Sequence, residues 1–202
     1  MMDKNKKKKN EREYRIADIH VEERDAESSE RSYMIEGYAS TYDRYELFEM
    51  DGVKYYEQVS KDAFNKTDMK DVVFRIDHEG PVYARSSNNS VSLLPDEKGL
   101  KVSVNLGLTT RSRQIYEDIK AGMYRQMSFA FTVDGQHFDK ETHTRCIDSF
   151  NKIYDISAVT FPANPNTYVH ARDYLNGEIE AVKEAERLHE RDQKRLHLLL
   201  KL

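Results

Sequence analysis

The 202 residues carry 38% hydrophobic and 34% charged side chains, with 13 Tyr and 8 Phe for packing, which suits one ordinary domain with charged ends rather than two full domains. Lys and Arg total 32 against 36 Asp and Glu, a net charge of -4 that excludes the basic excess of a dedicated nucleic-acid binder. The single cysteine, Cys146, excludes an internal disulfide and any multi-cysteine zinc site. No apolar run approaches the ~20 residues needed to cross a bilayer, and the basic start lacks an apolar stretch behind it, so a cytosolic product without a secretory signal is expected.

Residues 1–13, with the run Lys6-Lys7-Lys8-Lys9, are expected to form a disordered, solvated basic tail, because they hold too little apolar surface to offset the entropy of ordering. From Tyr14 to Thr160 the pattern is strand-like, with expected strands at Arg15 to Val21, Ser32 to Ser40, Val53 to Gln58, Val72 to Ile76, Ser90 to Leu94 and Leu100 to Leu106. In the last, Leu100, Val102, Val104 and Leu106 alternate with Lys101, Ser103 and Asn105, the signature of one buried face. A helix follows, with Thr109 or Thr110 as N-cap, Ile115 and Ile119 on one face, and Gly122 as its stop.

The next strand, Met123 to Val133, sets Met123, Met127, Phe129, Phe131 and Val133 on one face. Ser128 falls on the other face, with Tyr124, Gln126, Ala130 and Thr132. A polar hairpin at Asp134 to Thr144 leads to a buried strand, Ile153 to Thr160, stopped by Pro162 and Pro165. Beyond Thr167 the chain turns helical, and residues 173–202 read as a charged helical tail: from Glu178 to Arg195 eleven of eighteen residues are charged. Ile179, Val182 and Ala185 form a narrow apolar stripe in it, and the apolar end Leu196 to Leu202 calls for burial.

The eight glycines fall in no phosphate-binding pattern, so nothing points to nucleotide chemistry and no cofactor is called for. Three polar residues interrupt or end apolar strands: His78 after Val72 to Asp77, Ser128 between Met127 and Phe129, and Asp155 between Tyr154 and Ile156. They are the ingredients of a nucleophile, a general base and an orienting acid, because a serine hydroxyl attacks only when an imidazole takes its proton and a carboxylate fixes that imidazole's tautomer. Each also has a plainer structural reading, as a packed hydroxyl, a turn histidine, and a cap or arginine partner. The chemical rivals are a metal site from Asp77, His78 and Glu79 with His137 or His143, and a thiol nucleophile from Cys146 beside His143.

In order along the chain stand Gly37-Tyr38-Ala39-Ser40 with Asp43, Asp62-Ala63-Phe64, Asp77-His78-Glu79, Gly99-Leu100, Gly122 before Met127-Ser128-Phe129, and Asp155-Ile156-Ser157-Ala158-Val159-Thr160 running into Pro162-Ala163-Asn164-Pro165. This series, over Tyr33 to Val169, resembles the capsid-maturation (prohead) proteases of tailed bacteriophages, serine proteases whose fold is related to herpesvirus assemblin. The resemblance implies His78, Ser128 and Asp155 as the catalytic residues, within a protease domain over 14–172. It implies a β-rich α+β fold, a small closed β-barrel with flanking helices, to which the charged C-terminal helix is added. It implies a serine endopeptidase with no cofactor, inside the procapsid in the host cytoplasm, that cleaves scaffold or major capsid protein extensions and itself. It further suggests a homodimer, with neither membrane nor specific nucleic acid as partner. The second functional class is a catalytically inactive assembly or scaffolding module of the same fold. The chain departs from the family in having Lys61-Asp62 for Pro-Gly, Ala130 for Gly, and Asp155 for Glu, so the shorter carboxylate must approach His78 more closely.

Overall fold

Leu100, Val102, Val104 and Leu106 are all fully buried, and their alternation builds one flank of the core. The computed structural model describes residues 12–20, 33–160 and 169–199, which divide into two units between Tyr168 and Val169. The stop at Pro162 and Pro165 lies outside the described residues, as does the basic tail except for its last two positions. Glu13 is already strand, and buried.

Among its described residues the first unit is β-rich with one α-helix. Its elements are β1 (Glu13–His20), β2 (Met34–Thr41), β3 (Tyr45–Met50), β4 (Val53–Val59), β5 (Val73–Ile76), β6 (Glu79–Arg85), β7 (Val91–Pro95), β8 (Gly99–Asn105), α1 (Thr110–Lys120), β9 (Gln126–Asp139) and β10 (Thr144–Val159). They form a ten-stranded sheet ordered β3-β4-β10-β9-β1-β2-β8-β7, with β5 on β10 and β6 on β5. Among the described residues no pairing joins β3 to β7. The expected closed barrel is therefore not found: the hydrogen-bonded path has two free ends.

β10 organises this sheet because it is 16 residues long and pairs on both edges. One edge runs antiparallel to β9, while the other meets β4 at Thr144 to Ile147 and β5 at Asp155 to Ala158, both parallel. The β9–β10 hairpin is longer than its polar sequence suggested. Only residues 140–143 turn, gathered by the Asp139 carboxylate, which accepts from the Glu141 and Thr142 amides and the Thr142 hydroxyl. At its other end β9 starts at Gln126 rather than Met123, which is 68% exposed, because Gly122 takes a left-handed φ of 78° and the chain turns before pairing begins.

The sequence carries no strand signal for β3 and β6: one buries only Leu47, and the other carries Gly80 and Pro81 and five exposed positions, so neither shows a strand period. The core packs Phe64 on Phe150 at 4.9 Å and Phe129 on Phe131 at 4.7 Å between ring centres, and Phe131 meets Phe150 edge-on. α1 buries Ile115 and Ile119 and is capped by Thr109, whose side chain accepts the Ser112 amide at 3.0 Å. Thr109→Ala is expected to cost about 1 kcal/mol of stability, read as a lowered urea midpoint with an unchanged m-value.

The second unit is one helix, α2 (Val169–Leu199). Ion pairs Arg187–Glu184 and Lys194–Glu190 lie along its exposed face, and Ile179 and Val182 are half-buried while Ala185 is exposed. The side chains of the apolar end, Leu196 to Leu202, lie outside the described residues. No described helix is long and apolar enough to cross a membrane.

Candidate active site

β9 alternates strictly through Met127 to Val133, so Ser128, Ala130 and Thr132 share the face opposite Phe129 and Phe131. Both faces are buried, which fits a central strand. What reaches the serine depends on the register of β10. Ile153 pairs with Phe131, but Asp155 pairs with Ala130 and Ser157 with Ser128, so one extra residue, Tyr154, bulges out of β10. Without that bulge Ile156 would face Ser128 and Asp155 would point into the phenylalanine core. With it, Asp155 and Ser157 both stand on the serine's face.

His78 arrives from the other edge of β10. β5 and β6 are joined by a two-residue turn, Asp77-His78, both left-handed with φ of 49° and 61°, the pattern of a type I′ hairpin. Such a conformation is disfavoured for residues with a Cβ, and here β10 holds it. The Asp77 amide donates to Ala158 O at 3.0 Å, and its carboxylate accepts from the Thr160 amide at 2.8 Å and hydroxyl at 2.7 Å. The His78 amide donates to Ser157 Oγ at 3.2 Å.

The turn lays the imidazole between the other two candidates. Its Nδ1 lies 2.5 Å from Asp155 Oδ1, and its Nε2 2.8 Å from Ser128 Oγ. An ionised carboxylate only accepts, so Nδ1 carries the proton and Nε2 is left to accept from the Ser128 hydroxyl. The shorter Asp155 side chain thus reaches the ring directly. The Ser157 hydroxyl donates to the same Oδ1 at 2.9 Å. Ser128 and Asp155 are buried, and the His78 side chain keeps 17% of its surface open to solvent. Tyr14 of β1 packs edge-on against the imidazole at 4.5 Å, a neighbour invisible to local sequence patterns because β1 reaches the site only through its pairing with β9.

The rival groupings do not assemble. His137 lies nine residues along β9 from Ser128, roughly 30 Å at ~3.3 Å per residue, and pairs with Asp148. His143 packs against Tyr55 in the hairpin turn, and Asp77 is taken by Thr160. Among the described residues no three His, Cys, Asp or Glu side chains converge as metal ligands. Cys146 sits opposite His137 rather than His143, and burial, with the charges of Asp148 and Asp139, pushes its thiol up, away from the reactive thiolate.

The arrangement can therefore withdraw a proton from one serine, hold it on an imidazole and stabilise the resulting charge. A family model described as caudovirus prohead serine protease matches residues 18–184. No curated protein and no solved structure matches the chain.

Proposed function

The chain belongs to the caudovirus prohead serine protease family, and from that premise we propose that it is an endopeptidase in which Ser128 is the nucleophile, His78 the general base and then acid, and Asp155 the residue that orients His78. The observation that carries this reading is the continuous Ser128–His78–Asp155 hydrogen-bond chain at 2.8 and 2.5 Å. As Ser128 Oγ attacks the substrate carbonyl carbon, its proton passes to His78 Nε2, and Asp155 stabilises the imidazolium without taking the proton. The imidazolium then protonates the departing amine, the C–N bond breaks, and an acyl ester remains on Ser128. Water, deprotonated by the same imidazole, hydrolyses that ester and returns the hydroxyl.

Family membership directs the activity to capsid maturation. The substrates are scaffold or major capsid protein extensions and the protease itself, cut inside the procapsid within the host cell. The protease domain is 14–172 and it works as a homodimer, with α2 holding it to scaffold or capsid subunits through its charged face.

The test is the intact mass of every product when wild-type protein and Ser128→Ala are each co-expressed with their cognate major capsid protein. Cleavage of the capsid protein or of the chain itself in wild type, and its absence in Ser128→Ala, is the expected result. Full-length chains in both cases, with shells still assembled, would pass the function to an inactive assembly module. Equal cleavage by both variants would remove Ser128 as the nucleophile.

A further inference from the structure

The site face carries a second serine beside the first. Ser157 lies directly opposite Ser128 across the β9–β10 ladder, yet it is fully buried and gives its proton to Asp155 rather than to an imidazole nitrogen. It is therefore unsuited to attack a substrate. Its two bonds suit it to another task. One oxygen atom accepts the backbone amide of His78 and donates to the carboxylate oxygen that receives the His78 ring. Backbone, imidazole, carboxylate and hydroxyl thus close into a ring in which the acid and the base are fixed to each other.

Taking Ser128, His78 and Asp155 as the triad, on which this inference rests, we infer that Ser157 is a positioning residue that sets the orientation of His78 against both Asp155 and Ser128. Orientation follows from the left-handed turn. Asp77 ties that turn to Ala158 and Thr160, but those bonds end one residue short of the histidine, and the Ser157 bond alone among these restrains the His78 amide. The second bond, from the Ser157 hydroxyl to Asp155 Oδ1, fixes the carboxylate oxygen that the ring meets, so acid and base are aimed by one side chain. Ser157 lies two residues beyond Asp155 on one strand face, so a single strand delivers both the carboxylate and the group that aims it.

The test uses the full chain and a serine-directed phosphorylating probe, diisopropyl fluorophosphate, which loses fluoride as the Ser128 Oγ–P bond forms, with the adduct followed over time by intact mass. Ser157→Ala should react about 10- to 100-fold more slowly, as expected for losing a buried hydrogen bond to a charged group. Ser157→Thr, which keeps the hydroxyl, should return the rate toward wild type, a rescue that loss of packing alone would not give. Should Ser157→Ala melt below the assay temperature, Ser157→Cys, similar in size but a weak donor, carries the same comparison. A folded Ser157→Ala variant that is phosphorylated at the wild-type rate, or a slow one that Ser157→Thr does not rescue, would overturn the positioning role while the triad stands. Wild-type protein that takes no adduct on Ser128 would overturn the triad, and the role of Ser157 with it.

Discussion

Ser128→Ala should slow peptide cleavage by ~10,000-fold or more, to the floor that binding and backbone donors alone provide. The change removes one oxygen from a buried strand position and leaves its packing otherwise intact, so the variant should melt within a few degrees of wild type. Activity and stability therefore separate. His78→Ala and the double variant should fall to the same floor, because a nucleophile without its base and a base without its nucleophile are equally idle, and their losses do not add. Asp155→Asn should fall nearly as far for a different reason. The amide –NH2 placed at His78 Nδ1 can donate, which drives the ring proton to Nε2, where it faces Ser128 and cannot accept. Time courses of product mass with each variant measure these losses. A Ser128→Ala rate within tenfold of wild type would exclude the serine mechanism, and additive losses in the double variant would show that His78 and Ser128 act separately.

The parts legible in the sequence are those that depend on local period and end chemistry. The alternation from Leu100 to Leu106, the Thr109 cap and the Gly122 stop are all local signals, and the structure places them as expected. His78, Ser128 and Asp155 stood out singly, each because a polar side chain in an apolar run needs a partner. What local pattern could not supply is the register. The Tyr154 bulge, which turns Asp155 out of the core and toward His78, is one inserted residue in a strand where both faces are buried, so no period reports it. Ser157 is hidden for the same reason: a small hydroxyl in such a strand looks like filler until its neighbour across the ladder is known. Closure of the sheet, likewise, depends on pairing between distant strands, and the expected barrel did not follow from strand content alone.

The charged residues hid the other long-range feature. Glu13 and Arg15 of β1, Glu57 of β4 and Arg145 of β10 are buried together, although a charge in sequence ordinarily reads as surface. Tyr45, Glu57 and Arg145 lie in one row across β3, β4 and β10, and Glu13 and Arg15 reach the same cluster from β1. Arg145 Nη1 bonds Glu13 at 2.7 Å and Glu57 at 2.8 Å, Arg15 Nε bonds Glu57 at 2.6 Å, and the Tyr45 hydroxyl donates to Glu57. Two carboxylates and two guanidiniums balance, which is what allows four charges to stay out of water.

Glu57→Gln should therefore cost about 3–5 kcal/mol, a large share of a domain's total stability, because it leaves a buried guanidinium uncompensated. Arg145→Met should cost a similar amount by leaving the opposite charge. The double variant, again neutral, should lose clearly less than the two together, and that coupling separates charge balance from mere packing loss. Urea unfolding of the four proteins at pH 7 gives the cycle, and strict additivity would exclude it.

The same cluster sets the acid limit. Burial pushes Glu13 up, but Arg145 and Arg15 outweigh it and hold the carboxyl at about 2, against 4.5 ordinarily, and the same guanidiniums lower Glu57. A carboxylate depressed in the folded state stabilises above its unfolded value and loses that contribution as pH falls toward the folded one. For Glu13 the interval is worth roughly 3 kcal/mol at ~1.4 kcal/mol per unit. Stability should hold from neutrality to near pH 4.5 and decline steeply from there toward 2, and Glu57→Gln should flatten that decline. Because Tyr14 stands between Glu13 and Arg15 on β1 and packs on the His78 ring, loosening the cluster should also slow cleavage in the folded variant, tying the charge balance of one sheet face to the histidine on the other.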